Sequence, residues 1–253
     1  MAFLHLVQAQ KQAQNKTWNA LMKKGWLDGK PINPNNINID GAHQGKPCAV
    51  IGSGYTGRGV DSLALKNIIT IAINHTIEQY PKSDYLIFQD HRFLKLNKLD
   101  LDEYGGTIVV ANSNPINGKT LKSKIVSFVP IQADGKVSAH FSGGLYSRIS
   151  TGLCALNLAI VLGCKPIYLI GCDMPKDWRD TVDVSEGIHS DPNYRGAVDT
   201  ILALEGYEKS LKLYGKFGKY ADRIINVCEN GCIDSFRQIR MDMFNKKIGE
   251  VKK

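Results

Sequence analysis

The sequence predicts an α/β protein with a Rossmann-like, mostly parallel sheet and helices on both faces. Short apolar runs rich in β-branched residues recur along the chain, and several end in glycine or a short polar residue. Segments able to cross back over a sheet separate them. One apolar stretch, "STGLCALNLAIVLG" (150–163), is too long for a strand and apolar nearly all round, so it reads as a buried helix. Apolar strands alternating with helices are the pattern of a parallel sheet buried on both sides.

Taken in order, Leu4, Val7, Trp18, Leu21 and Met22 fall at roughly helical spacing and predict an amphipathic helix over 4–24. Residues 27–47 are rich in Gly, Pro and Asn and read as a loop or linker. Strands follow at "CAVIG" (48–52), "NIITIAIN" (67–74), "SDYLIFQD" (83–90), "GTIVVAN" (106–112) and "KIVSFVP" (124–130). Residues 131–147 read as loops, with a hairpin near Asp134-Gly135. After the buried helix come a strand at "KPIYLIGCD" (165–173), a polar stretch without period (174–195), a helix over 197–214 and a last strand, "RIINVC" (223–228). This divides the chain into an N-terminal helix with an Asn/Pro-rich segment, 1–45, and a Rossmann-like nucleotide-binding catalytic domain, 46–253.

Composition narrows the function classes. The 253 residues are 43% hydrophobic and 22% charged, ordinary for a folded α/β domain with a real core. The six cysteines form no CxxC pair, and four of them lie in apolar runs. This argues against a zinc site or disulfide framework and fits a reducing, cytoplasmic setting. The longest apolar run is too short to span a membrane, and the N-terminus lacks the pattern of a secretion signal. A net charge of +8 and a pI of about 9.1 suit an anionic partner, a nucleotide or a nucleic acid, and equally a solvated lysine surface.

Ligands of parallel sheets bind beyond the carboxyl ends of the strands. There the sequence places Gly52-Ser53-Gly54, Asn74-His75, Gln89-Asp90-His91, Asn112-Ser113-Asn114 and Gly171-Cys172-Asp173. Turns need such residues anyway, so each alone says little; five together favour a site. The first, in "CAVIGSGYTGRGVDSL", spells GxGxxG, and glycine lets a phosphate approach the main chain. No Gly-Lys-Ser/Thr follows, so it is not a P-loop. A ribose-binding acid about 20 residues on is also missing, with Asn at 74 and Glu at 78. Asp100-Leu101-Asp102 reads as a solvated helix end rather than a metal-diphosphate site. His189, in the polar stretch after a site strand, is a candidate general base near neutral pH.

The segment "RISTGLCALNLAIVLGCKPIYLIGCDM" (148–174) resembles a signature of the bacterial sialyltransferases of glycosyltransferase family 42. It is similar also to a broader MptE-like group, the domain-of-unknown-function 115 family, which includes a 6-hydroxymethylpterin diphosphokinase. "YPKSDYLIFQD" looks like a segment of that second group. The resemblance covers roughly residues 46–230. It implies a GT-A-variant-like fold and a glycosyltransferase using a nucleotide-sugar donor. It implies Gly52, Ser53, Gly54, Asn74, Ser150, Thr151, Gly152 and Asp173 at the nucleotide, with Arg148 and His189 catalytic and His189 the general base. Ser53 stands where the sialyltransferases carry Asn. The stretch 174–188 holds none of the lid tyrosines of that family; Tyr194, Arg195, Lys176 and Arg179 are the nearest substitutes. No cofactor or metal is required on this reading. The rival implied by the second group is a Mg-ATP diphosphokinase acting on a small hydroxymethyl compound, with Asp90 and Asp173 holding magnesium. A non-catalytic nucleotide or nucleic-acid binder is the third reading. A glycosyltransferase acting on a modified base of DNA would combine two of these.

Overall fold

The computed structural model describes residues 38–89, 104–111, 124–128, 130–131, 136–146, 150–173, 210–228, 231 and 233–250. The expected helix at 4–24, the hairpin at 134–135, the stretch 174–195 and most of the helix at 197–214 lie outside them.

The core is an eight-stranded sheet. Its strands are β1 (Cys48–Ile51), β2 (Ile69–Ile73), β3 (Tyr85–Phe88), β4 (Thr107–Ala111), β5 (Lys124–Phe128), β8 (Ile167–Ile170), β9 (Ile224–Val227) and β10 (Arg237–Ile239). β6 (Pro130–Ile131) and β7 (Leu145–Tyr146) form a separate two-stranded ladder. The order in the large sheet is β10-β9-β8-β1-β2-β3-β4-β5, and every neighbouring pair is parallel. The chain builds outward from β1 on one side, then returns and builds outward from β8 on the other. The winding therefore reverses between β1 and β8.

Side-chain alternation explains why these runs are strands buried on both faces. Cys48 and Val50 join one apolar cluster with the helix α2 (Thr151–Val161), whereas Ala49 and Ile51 join another. The second cluster takes in Tyr168 and Ile170 of β8 and Phe244 and Ile248 of α3 (Met241–Glu250). The short helix α1 (Thr76–Gln79) follows β2, and 3-10 turns cover Tyr55–Gly59, Ala64–Asn67, Phe141–Gly143 and Gly215–Arg223. From Gly152 to Val161 every residue of α2 is buried, as expected of a helix without a polar face.

Two expectations need correction. The strand at 224–227 is not the last, because β10 and α3 follow it. Arg237 and Gln238 are exposed and only Ile239 is buried, so β10 has no apolar run to betray it. The stretch 131–147, read as loops, contains β7 and a 3-10 turn. The part of the 27–47 loop within the description, 38–45, is tied to the end of α2. Gly41, His43 and Gly45 donate their N–H groups to the carbonyls of Val161, Leu162 and Gly163. Those bonds satisfy carbonyls that a helix end leaves open.

Candidate site at the carboxyl ends of the central strands

A parallel sheet whose winding reverses leaves a crevice outside the carboxyl ends of the two strands at the reversal. Here those ends are Gly52-Ser53-Gly54 after β1 and Gly171-Cys172-Asp173 after β8. The two loops cross in direct backbone contact. Gly52 donates its N–H to the Ile170 carbonyl (2.7 Å) and Gly54 to the Gly171 carbonyl (2.8 Å). A Cβ added at Gly52 would stand 2.5 Å from the Gly171 carbonyl oxygen, and one at Gly54 2.6 Å from the same atom. Gly171 has φ of +64°, where side chains are strained, and its own Cβ would strike the Gly52 carbonyl oxygen.

The glycine pattern is thus accounted for by chain packing against chain. Gly52, Gly54, Thr56 and Gly57 all spend their N–H groups on acceptors within the protein. A phosphate-cradling loop instead turns successive N–H groups outward. In this conformation the loop is a tight joint.

Asp173 locks that joint. Its carboxylate accepts the Thr56 N–H (2.9 Å) on one oxygen and the Thr56 hydroxyl on the other. The Thr56 hydroxyl oxygen in turn accepts the Gly171 N–H at 3.1 Å. Thr56 and Asp173 are both buried. Such charge-assisted bonds are stronger than neutral ones and hold their geometry. Sequence reasoning placed Asp173 at the nucleotide; the structure places it behind the loop, with both oxygens engaged by Thr56.

Asn74 follows β2, the neighbour of β1, at φ of +51°. Asn tolerates this left-handed region better than most residues. Its N–H donates to the Ile87 carbonyl. The turn is held by buried Thr76, whose hydroxyl oxygen accepts the Ile73 N–H (2.9 Å) and lies 3.0 Å from the Ile51 and Ile73 carbonyls. Thr76 therefore laces the end of β1 to the end of β2.

The start of α2 is the third wall. Ser150 is its N-cap and accepts the Gly152 N–H on Oγ at 3.1 Å. A Cβ at Gly152 would stand 2.9 Å from Tyr214 Oη and 3.6 Å from Cys172 Sγ, so this helix end meets the β8 loop. Burial pushes the Cys172 thiol up to about 12, with Asp173 adding to the rise and the Tyr214 hydrogen bond opposing it. It is a thiol at neutral pH and no nucleophile.

The structure thus brings Gly52, Ser53, Gly54, Asn74, Ser150, Thr151, Gly152 and Asp173 to one edge of the sheet. Ser53, Asn74, Ser150 and Thr151 are half-buried there. Arg148, His189, Asp90, Lys176, Arg179, Tyr194 and Arg195 lie outside the described residues. Thr56, Thr76 and Tyr214 were missed by sequence reasoning. A threonine within a glycine loop carries no signal of its own, since its role depends on a partner more than a hundred residues away.

Among the described residues no group of three His, Cys, Asp or Glu could hold a metal, and no helix is long and apolar enough to cross a membrane. Fold and site together define a doubly wound parallel α/β protein whose winding reverses between β1 and β8. Comparison with protein-family models, curated proteins and solved structures returns no match.

Proposed function

We propose that this protein is a nucleotide-dependent transferase, with a nucleotide-sugar as donor and a hydroxyl as acceptor. The observation that carries the reading is the reversal of winding between β1 and β8. It lies beside the start of an eleven-residue helix and is ringed by half-buried Ser53, Asn74, Ser150 and Thr151. In this reading the nucleotide lies in the crevice, with Thr151 and the positive end of α2 facing its phosphates. Gly52, Gly54 and Asp173 shape the floor.

The chemistry asks for a base and a cation. The acceptor oxygen attacks the sugar carbon, the bond from that carbon to the nucleotide phosphate breaks, and the acceptor proton passes to a base. The resemblance of 148–174 to the family 42 enzymes assigns the base to His189 and a cationic role to Arg148. The diphosphokinase alternative needs Asp173 free to bind magnesium. The engagement of its carboxylate by Thr56 favours glycosyl transfer over it. A cytoplasmic location, from cysteine usage, belongs to the same proposal.

The test is a thermal-shift panel with CMP, CDP, UDP, GDP, ATP and CMP-sialic acid, with and without magnesium. Selective stabilisation by a pyrimidine nucleotide without metal is expected; saturating ligand at a hundred times Kd adds about 2.7 kcal/mol. Stabilisation by ATP with magnesium alone would replace this reading with the diphosphokinase. No shift with any nucleotide would overturn it. Full transfer by His189→Ala would remove the proposed base.

A further inference from the structure

Among the described residues, basic side chains gather at the edge of the sheet opposite the candidate site. All strands of the large sheet run the same way, so their first residues share one edge. Going from β10 to β3 in spatial order, six adjacent strands each carry a basic residue within three positions of their start: Arg237, Arg223, Lys165, Lys46, Lys66 and Lys82. The same window holds three acids, Asp84, Asp222 and Asp234. Asp84 is bound by the Thr70 N–H and hydroxyl, and Asp222 by Lys165 at 3.0 Å. At the carboxyl edge, the described acidic and basic residues that follow a strand end within three positions are Asp173, Arg240 and Asp242, the latter two paired with each other.

The row is continuous. The Lys165 N–H donates to the Lys46 carbonyl at 2.9 Å, and Ile69 donates to Pro47, joining the starts of β8, β1 and β2. Five of the six residues are exposed, and Arg223 rests half-buried over the Tyr220 ring at 5.6 Å. Neighbouring strands stand about 4.8 Å apart, so five intervals give a row of about 24 Å. Helix ends account for part of it: Lys46 and Lys165 lie beside the end of α2, Lys66 and Arg223 lie in the last turns of the 3-10 helices Ala64–Asn67 and Gly215–Arg223, and Lys82 follows α1.

We propose that this edge is a docking surface for the phosphate backbone of a nucleic-acid duplex. Basic residues on six adjacent strands, over about 24 Å, span about two-thirds of a duplex turn of roughly 34 Å. Regularly spaced point charges neutralise phosphates without reading bases. A single strand would call for exposed aromatic side chains to stack on; among the described residues the rings near these strand starts, Tyr85, Tyr104, Phe217, Tyr220 and Phe236, are buried, and Tyr80 is half-buried. An anionic membrane would call for an exposed apolar face, and the large exposed hydrophobic residues among those described are Leu63 and Met243. The surface is independent of the donor reading, because the crevice lies at the opposite edge.

The test is fluorescence anisotropy of the full chain with labelled 20-base-pair DNA and RNA duplexes and a labelled single strand, over a salt series, with flotation on phosphatidylserine vesicles in parallel. The expected result is duplex binding whose log K falls with log salt at a slope near −5, from about 0.9 per phosphate for six contacts. Lys46→Glu/Lys66→Glu/Lys165→Glu should weaken it at least about tenfold and flatten the slope by about 3. The charge-matched control Lys136→Glu/Lys212→Glu/Arg240→Glu, on exposed residues off the row, should keep at least half the affinity. Circular dichroism and urea midpoints confirm that both variants fold. The proposal is overturned by no salt-dependent duplex binding, by preference for single strands or vesicles, or by equal losses in the two variants. DNA and RNA binding alike support it.

Discussion

The two edges of one sheet are built on opposite principles. At the carboxyl edge the chain passes within contact of itself, backbone on backbone, and glycines are there because no side chain fits. At the amino edge exposed cationic side chains carry the character. Glycines occur at both edges, which makes them a direct probe of the difference. Gly171 and Gly54 face carbonyl or carboxylate oxygens, whereas Gly105 before β4 and Gly218 before β9 have open space where a Cβ would go; Gly106, next to Gly105, instead faces the Tyr104 ring and the Ser83 carbonyl.

The largest expected effect follows from that contrast. Gly171→Ala combines a φ of +64° with a Cβ driven into the Gly52 carbonyl, so the loops at the crossing must part. A loss of at least about 3 kcal/mol is expected from strain and displaced packing together. Gly54→Ala should behave alike. Gly105→Ala and Gly218→Ala should stay within about 0.5 kcal/mol of the parent. Urea midpoints for the four proteins decide the matter. A mild Gly171→Ala would mean that the joint is looser than described.

The same contrast shows what the sequence could and could not disclose. Apolar runs such as "CAVI", "ITIAI" and "IYLI" announced strands, because burial on both faces leaves no room for polar residues. They also fixed which ends face the crevice. β10 stayed hidden because a short edge strand buries one residue in three. α3 was legible in principle, since Met241, Phe244 and Ile248 fall at helical spacing, and Phe244 packs on Tyr168 with ring centroids 4.9 Å apart. The glycine loop shows the deeper limit. Its letters matched a phosphate loop, yet what each missing Cβ faces depends on Gly171 and Asp173, which lie far along the chain. Charge was legible as a total and illegible as a row, because the row appears only once strand order places Lys46 beside Lys165.

A middle-sized effect tests the lock rather than the crossing. Thr56→Val keeps the shape but removes both the donor to Asp173 and the acceptor of the Gly171 N–H. A cost of about 1–3 kcal/mol is expected for a buried, charge-assisted arrangement. Thr56→Ser keeps the hydroxyl and should recover most of it. If Thr56→Val unfolds with the parent midpoint, Asp173 is not the lock and its carboxylate is available to a ligand after all. That outcome would return weight to the magnesium-dependent reading.

The smallest effect lies at the amino edge and concerns pH. His43 Nε2 lies 2.9 Å from the Tyr85 hydroxyl, whose pKa burial pushes up to about 12, so the phenol stays protonated, and the imidazole tautomer sets which of the two donates. Burial lowers the His43 pKa, Lys46 lowers it further, and Asp84 opposes them. A folded-state pKa below the unfolded value of about 6.5 means that the unfolded chain takes up the proton first as pH falls. The stability His43 contributes is therefore full above about 6.5 and declines below it, towards the folded-state value. Urea midpoints at pH 7.5 and 5.5 should show a larger acid loss in the parent than in His43→Gln. Lys46→Ala should fall between them, because it removes the second cause and leaves burial, the first, in place. An acid loss in Lys46→Ala as small as that in His43→Gln would make the neighbouring charge, not burial, the governing term, and would show that the basic row reaches inward to the residues it borders.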